Sequence, residues 1–212
     1  SDGLRIARAL AIEQYAEMEG ALCVILANLL RIRHDDAAVI FYATTSADVR
    51  NRIIKTFIGR VHGDTYAPYF QGTAGEKKTQ AVPGMWNLIN KLDTERNFIV
   101  HWVRTGTASI NLATGETEAH NEYRPAYHAT RLTDLSPIRT ADLEDFIARA
   151  TFASVSLDMF GRLIAPKVTL DPSTVQTWQP IFQLPPIYPP PEGHPALSLM
   201  RARGVQPPTS RG

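Results

Sequence analysis

Cysteine is nearly absent from this chain. The single one, Cys23, excludes an intramolecular disulfide and a cysteine-based zinc site. It sits in Ala21-Leu22-Cys23-Val24-Ile25-Leu26 and reads as a small buried residue, not a nucleophile. An excess of one charge is also missing. Basic residues number 22 and acidic residues 21, for a net charge of +1. A protein that holds nucleic acid through a broad cationic surface is usually strongly basic, so any RNA contact here must come from a local patch. Long hydrophobic runs are lacking too. The longest, Ala21 to Leu30, contains Asn28 and is too short to span a bilayer, so no membrane partner is expected. No signal-peptide pattern is recognisable, and the expected location is the cytoplasm. His-Glu-x-x-His does not occur, and neither His120 nor His128 has partners at metal-ligand spacing. No metal site, cofactor or internal repeat is expected.

What the chain does have is helical periodicity. Tyr15, Met18, Leu22, Ile25 or Leu26, and Leu29 form an apolar stripe that predicts one helix over 4–32. Asp35-Asp36 then caps a helix predicted over 36–61, with Val39, Ile40, Val49, Ile53, Ile54, Phe57 and Ile58 facing the core. Thr44, Thr45, Ser46 and Asp48 interrupt that set, and such a patch either kinks a helix or satisfies a buried polar group. Residues 62–75 read as a loop, after which Gly75-Glu76-Lys77-Lys78 starts a third helical region. Pro83-Gly84 breaks it and leaves a helix over about 85–104, closed by Gly106. Thr107–Leu112 and Glu118–His128 read as an exposed hairpin excursion. A last helix opens at Ser136-Pro137 or Thr140 and ends near Pro166.

From Val168 onward ten of the fifteen prolines fall, in runs such as Leu184-Pro185-Pro186-Ile187-Tyr188-Pro189. This segment is expected to be extended or disordered and dispensable for folding. Trp178, Ile181, Phe182, Ile187 and Tyr188 are nevertheless too apolar for a pure spacer. Pro185-Pro186-Ile187-Tyr188 also fits the short motif read by WW domains. The expected class is therefore all-α: a four-helix up-down bundle over 1–167 with a small β-hairpin insertion, followed by an extended Pro-rich tail over 168–212.

The run Arg96-Asn97-Phe98-Ile99-Val100-His101 carries the most functional information. At about 100° per residue Asn97 and His101 share one helix face, with Arg104 beside His101 a turn on. Arg96 lies about 140° round from His101, so one helix does not easily aim both at one point. The order Arg, Asn, three residues, His resembles the Arg-x(4–6)-His signature of the HEPN superfamily, all-helical domains of which many are metal-independent RNases that work as dimers. Ala38-Val39-Ile40-Phe41-Tyr42, followed by Ser46 and Arg50, looks like the second helix of a bacterial and phage-associated branch. The resemblance covers roughly residues 5 to 165. It departs from one extended signature, Glu-x3-Lys-Arg, because Lys91 stands at the Glu position and Glu95 at the Lys position.

The resemblance implies His101 as the proton-transfer residue, Arg96 as the phosphate clamp and Asn97 as the polar member that orients imidazole or phosphate. Arg104, Arg50, Arg52 and Lys55 are the expected RNA or phosphate contacts. It implies a homodimer that brings two motif copies together, single-stranded RNA as substrate, and a toxin or phage-defence role with an antitoxin or other protein partner. Three readings stand beside one another. The first is this endoribonuclease, and the second a non-catalytic HEPN-like scaffold that recruits partners through its surface or tail. The third is an unrelated helical interaction protein, in which Arg96 pairs with Glu95, Asp93 or an acid on the first helix while His101 caps a helix end.

Overall fold

The apolar stripe at the start of the chain forms helix α1, Asp2–Leu30, which buries Tyr15, Met18, Leu22, Ile25, Leu26 and Leu29. It ends where Arg31 turns into the left-handed region at φ 56 and the Ile32 N–H bonds back to the Ala27 carbonyl. The structure, a computed structural model, describes residues 2–75, 81–110, 113–125 and 136–207. It is mostly helical, with one small two-stranded hairpin and a two-residue strand pair.

The single helix expected over 36–61 is two helices, α2 (His34–Ala43) and α3 (Ala47–His62). The polar patch between them is the cause. The Thr44 hydroxyl donates to the Ile40 carbonyl at 3.0 Å, and the Ser46 hydroxyl caps α3 by accepting from the Val49 N–H. The break re-aims α2. Val39 is 71% exposed and Ile40 44%, so these expected core residues face solvent while Ala37 and Phe41 turn inward.

Within the expected loop, a short helix α4 (Ala67–Gln71) buries Tyr69 and Phe70. Strand β1 (Gly72–Thr73) then pairs antiparallel with β2 (Val82–Pro83). A Cβ on Gly72 would strike the Val82 carbonyl, and one on Gly84 the backbone of Gln71 and Gly72, so only glycine fits this crossing. The helix start expected at Gly75–Lys78 falls mostly outside the described residues.

Helix α5 runs Met85–His101, capped at Trp102, so Gly106 is not its terminator. Arg104 and Gly106 belong to strand β3 (Val103–Ile110), which pairs with β4 (Thr117–Arg124) from Val103↔Arg124 to Ile110↔Thr117. Helix α6 spans Thr140–Leu163. It packs along α1, and small residues permit the close approach: Gly161 lies against Val24 and Ile25, and its carbonyl accepts from Asn28 at 2.8 Å.

Every residue of α6 from Ala148 to Leu157 is buried, which one amphipathic stripe does not explain. The C-terminal segment supplies the missing cover. Instead of an extended tail, residues after Val168 form helix α7 (Pro172–Trp178), a 3-10 turn over Ile181–Gln183 and helix α8 (Pro195–Ala202). Phe182 is 1% exposed and packs edge-on against Tyr69 and obliquely on Phe160, while Tyr188 lies over Phe152. Ala196, Leu197 and Met200 of α8 complete the layer. Proline-rich connections join these anchors; they are not the whole segment.

His194 caps α8: its Nδ1 accepts from the Ala196 N–H at 3.1 Å, which requires an unprotonated nitrogen. Burial pushes the His194 imidazole below its ordinary value, and burial does the same to His62. The unfolded chain therefore takes up protons that the folded chain refuses as pH falls through about 6.5, so stability present at neutral pH is lost toward pH 5. Urea midpoints measured at pH 7.5 and 5.5 should show this loss. His194→Ser keeps a capping acceptor that does not titrate, and should remove part of the difference.

Candidate functional site

The geometry of the motif begins with the way α5 is seated. The Gly84 N–H donates to the Asn87 side-chain oxygen, and Met85, Trp86, Ile89, Leu92 and Ile99 anchor the inner face. Asn90, Thr94, Asn97 and His101 line the outer face and are all exposed. His101 is the last helical residue.

Arg96 turns the other way, toward a polar cluster shared by α1, α3 and α5. The Tyr15 hydroxyl donates to Asp93, and the Asn51 amide donates to the other Asp93 oxygen at 3.2 Å. Arg50 is ion-paired with Glu19, donates to the Thr44 carbonyl at 3.3 Å, and lies 4.8 Å from the Phe41 ring centre. The Arg96 guanidinium sits over the Tyr15 ring at 5.4 Å, and its Nη1 donates to the Asn97 side-chain oxygen at 3.3 Å. Burial pushes the Glu19 carboxyl above its ordinary value against the pull of Arg50 and Arg96. Burial, reinforced by Asp93, also raises the Tyr15 phenol. The second shift keeps the phenol neutral, so that it donates to the Asp93 side chain.

This cluster corrects two expectations. Arg50 is almost enclosed and neutralised by Glu19, so it is not an open phosphate contact. Arg96 does not pair with Glu95, which is held by Arg149 of α6 in a two-pronged bridge at 3.2 and 2.6 Å. Asp145 completes that bridge at 2.8 Å and Lys91 approaches Glu95 at 3.9 Å, beside a cavity of about 350 Å³ between α5 and α6. Among the described residues, no hydrogen bond, ion pair or ring contact joins Arg96 to His101.

Arg104, expected on the motif helix, instead projects from β3 into a groove of about 410 Å³ with Arg5, Arg8, Ala9, Ile12 and Tyr123. Arg8 donates to the Val100 carbonyl at 2.6 Å and lies 4.6 Å from the Tyr123 ring centre, which ties the groove to the end of α5 beside His101. No lining residue is acidic, and among the described residues none of the three arginines has a carboxylate partner. Arg5 and Arg8 were missed in the sequence. No local pattern marked them; only the packing of α1 against the end of α5 and the hairpin brings them beside Arg104.

Arg52 and Lys55 are exposed on α3 and line a second groove, about 210 Å³, with Asp48, Asn51, Trp86 and Asn90. Among the described residues no three His, Cys, Asp or Glu side chains stand together in a way that would hold a metal ion. His128 lies outside those residues. No described helix is long and apolar enough to cross a membrane.

Fold and site together define a mostly helical protein with an exposed histidine at the end of α5 and a groove of three arginines that have no carboxylate partner among the described residues. Comparison with protein-family models, curated proteins and solved structures gives no match for this chain.

Proposed function

We propose that this chain is a metal-independent endoribonuclease of the HEPN type, acting on single-stranded RNA as a homodimer. The observation that carries the reading is the exposed His101 at the end of α5, which shares a face with Asn97 and follows Val100, whose carbonyl accepts from Arg8 of the arginine groove. In this reading α1, α3, α5 and α6 are the four helices of an up-down bundle, the hairpin is an insertion, and the protein works in the cytoplasm as a toxin or defence factor restrained by a protein partner.

The chemistry is a transesterification. The ribose 2′-oxygen forms a bond to phosphorus while the bond to the 5′-oxygen breaks. One imidazole takes the 2′-hydroxyl proton and a second, protonated, gives its proton to the leaving oxygen. A dimer supplies two copies of His101 for these two tasks. Exposed apolar residues on α1 (Ile6, Leu10) and α2 (Val39, Tyr42) offer surface for a second copy to cover. Guanidinium groups stabilise the charge that builds on the phosphorane oxygens. Arg96 holds the Asn97 oxygen, which leaves the amide NH₂ of Asn97 to face outward as a donor.

A second reading, the non-catalytic scaffold, draws on the inward turn of Arg96 onto Tyr15, away from His101. Single-stranded RNA incubated with the protein in EDTA separates the two. Fragments ending in 2′,3′-cyclic phosphate and beginning with 5′-hydroxyl are expected, with a dimer mass in solution. Intact RNA, or cleavage only after magnesium is added, would leave the scaffold.

A further inference from the structure

Resting on the RNA-binding part of that reading, we infer that the outer face of α5 is a track for a single RNA strand, running from His101 to a second phosphate subsite at Arg52 and Lys55. Three observations carry it. First, Asn90, Thr94, Asn97 and His101 fall within about 60° of one another round the helix, at steps of four, seven and eleven residues. All are exposed, polar and without formal negative charge. They offer hydrogen bonds to sugar and phosphate, and no carboxylate of α5 lies among them to repel a polyanion.

Second, both ends of this face are basic. At the His101 end lies the arginine groove. At the other end Asn90 itself lines the groove that holds Arg52 and Lys55, placed one helical turn apart on α3. The acid there, Asp48, is 3.9 Å from Arg52 with both side chains mostly exposed, a pairing weak enough for a phosphate to displace. Third, the wall of that groove contains Trp86, which is 7% exposed and whose indole N–H has no hydrogen-bond partner among the described residues. A buried donor without an acceptor is costly and rare. A phosphate or ribose oxygen bound in the groove would supply the acceptor it lacks.

The span sets the substrate. From Asn90 to His101 the helix rises about 16 Å. A stacked strand advances about 3.4 Å per nucleotide, so roughly five nucleotides separate the scissile bond from the distal subsite. Dinucleotides reach only the His101 end. The substrate class is therefore unpaired RNA with at least about five nucleotides on one side of the cut.

Fluorescence anisotropy on the full chain carrying His101→Ala, with labelled oligoribonucleotides of two to ten nucleotides, tests this without cleavage. Affinity should rise with length and level off near six nucleotides. Arg52→Ala with Lys55→Ala should remove that gain, leave the shortest oligomers unchanged, and flatten the slope of log K against log salt by about 1.4. Arg33→Ala, a surface arginine paired with Asp35, controls for net charge and should do neither. Affinity independent of length, or a double variant that behaves like its parent, overturns the track while leaving cleavage at His101 standing. Equal length dependence with polyglutamate overturns the assignment to nucleic acid. Failure to bind any RNA removes the track and the proposed function together, whereas length-dependent binding without cleavage by the unsubstituted protein removes only the enzyme.

Discussion

His101→Ala is expected to lower cleavage of single-stranded RNA by roughly 10²–10⁴-fold, the usual contribution of a positioned proton-transfer group. Because His101 is exposed at a helix end, the substitution should leave the melting temperature and the dimer mass unchanged. Arg96 behaves differently. Its guanidinium lies on Tyr15 and beside Glu19, so Arg96→Ala removes a cation from a polar cluster as well as a hydrogen bond to Asn97. A fall in stability of about 0.5–2 kcal/mol is expected from the lost cation–π contact, in addition to any loss of rate. Arg96→Lys separates the two effects, since it keeps the charge and loses the planar fork and the stacking. Cleavage that survives His101→Ala undiminished would remove the imidazole from the mechanism.

Truncation after Lys167 is expected to abolish the cooperative unfolding transition or lower it severely, the reverse of what the proline content implies. Phe182, at 1% exposure between Tyr69 and Phe160, and Met200, at 0%, are part of the core that truncation would remove. Phe182→Ala alone should cost about 3–5 kcal/mol through lost transfer energy and the cavity left behind. For a chain of this size that is a drop of roughly 6–20 °C in the melting temperature, readable by circular dichroism. Leu184→Ala is the matched control, because Leu184 is 64% exposed in the same segment and should change little. A truncated chain that melts with the full-length protein would show that the segment does not contribute to the core.

The two outcomes are coupled through α6. The cluster under Arg96 is assembled by α1, α3 and α5, and α6 fixes α5 through the Arg149–Glu95 bridge. Tyr188, which packs on Phe152 of α6, comes from the C-terminal segment. Loss of that segment should therefore weaken RNA cleavage indirectly, and a stability measurement must accompany any assay of a shortened chain.

The sequence by itself determined the elements with long periodic patterns. The stripe from Tyr15 to Leu29, the inner face of α5 and one face of α6 follow from a period near 3.6, because a helix that buries one face must repeat its apolar residues at that interval. That Asn97 and His101 share one face followed from the same arithmetic, whereas the exposure of that face did not. Local polar chemistry marked the break near Thr44–Ser46 but not its result, since a kink and a full separation of two helices share one signature. Tertiary structure alone decided the rest. Proline count describes backbone stiffness and not burial, so it did not reveal that Phe182 and Met200 close the core over α6. The pairing of Arg50 with Glu19 joins residues 31 positions apart, and that of Arg149 with Glu95 joins residues 54 apart. The gathering of Arg5, Arg8 and Arg104 into one groove depends on the start of α1 meeting the end of α5. Charges alone do not fix such meetings: a guanidinium has many carboxylates within its chain, and only the packing of apolar faces brings a particular one within reach.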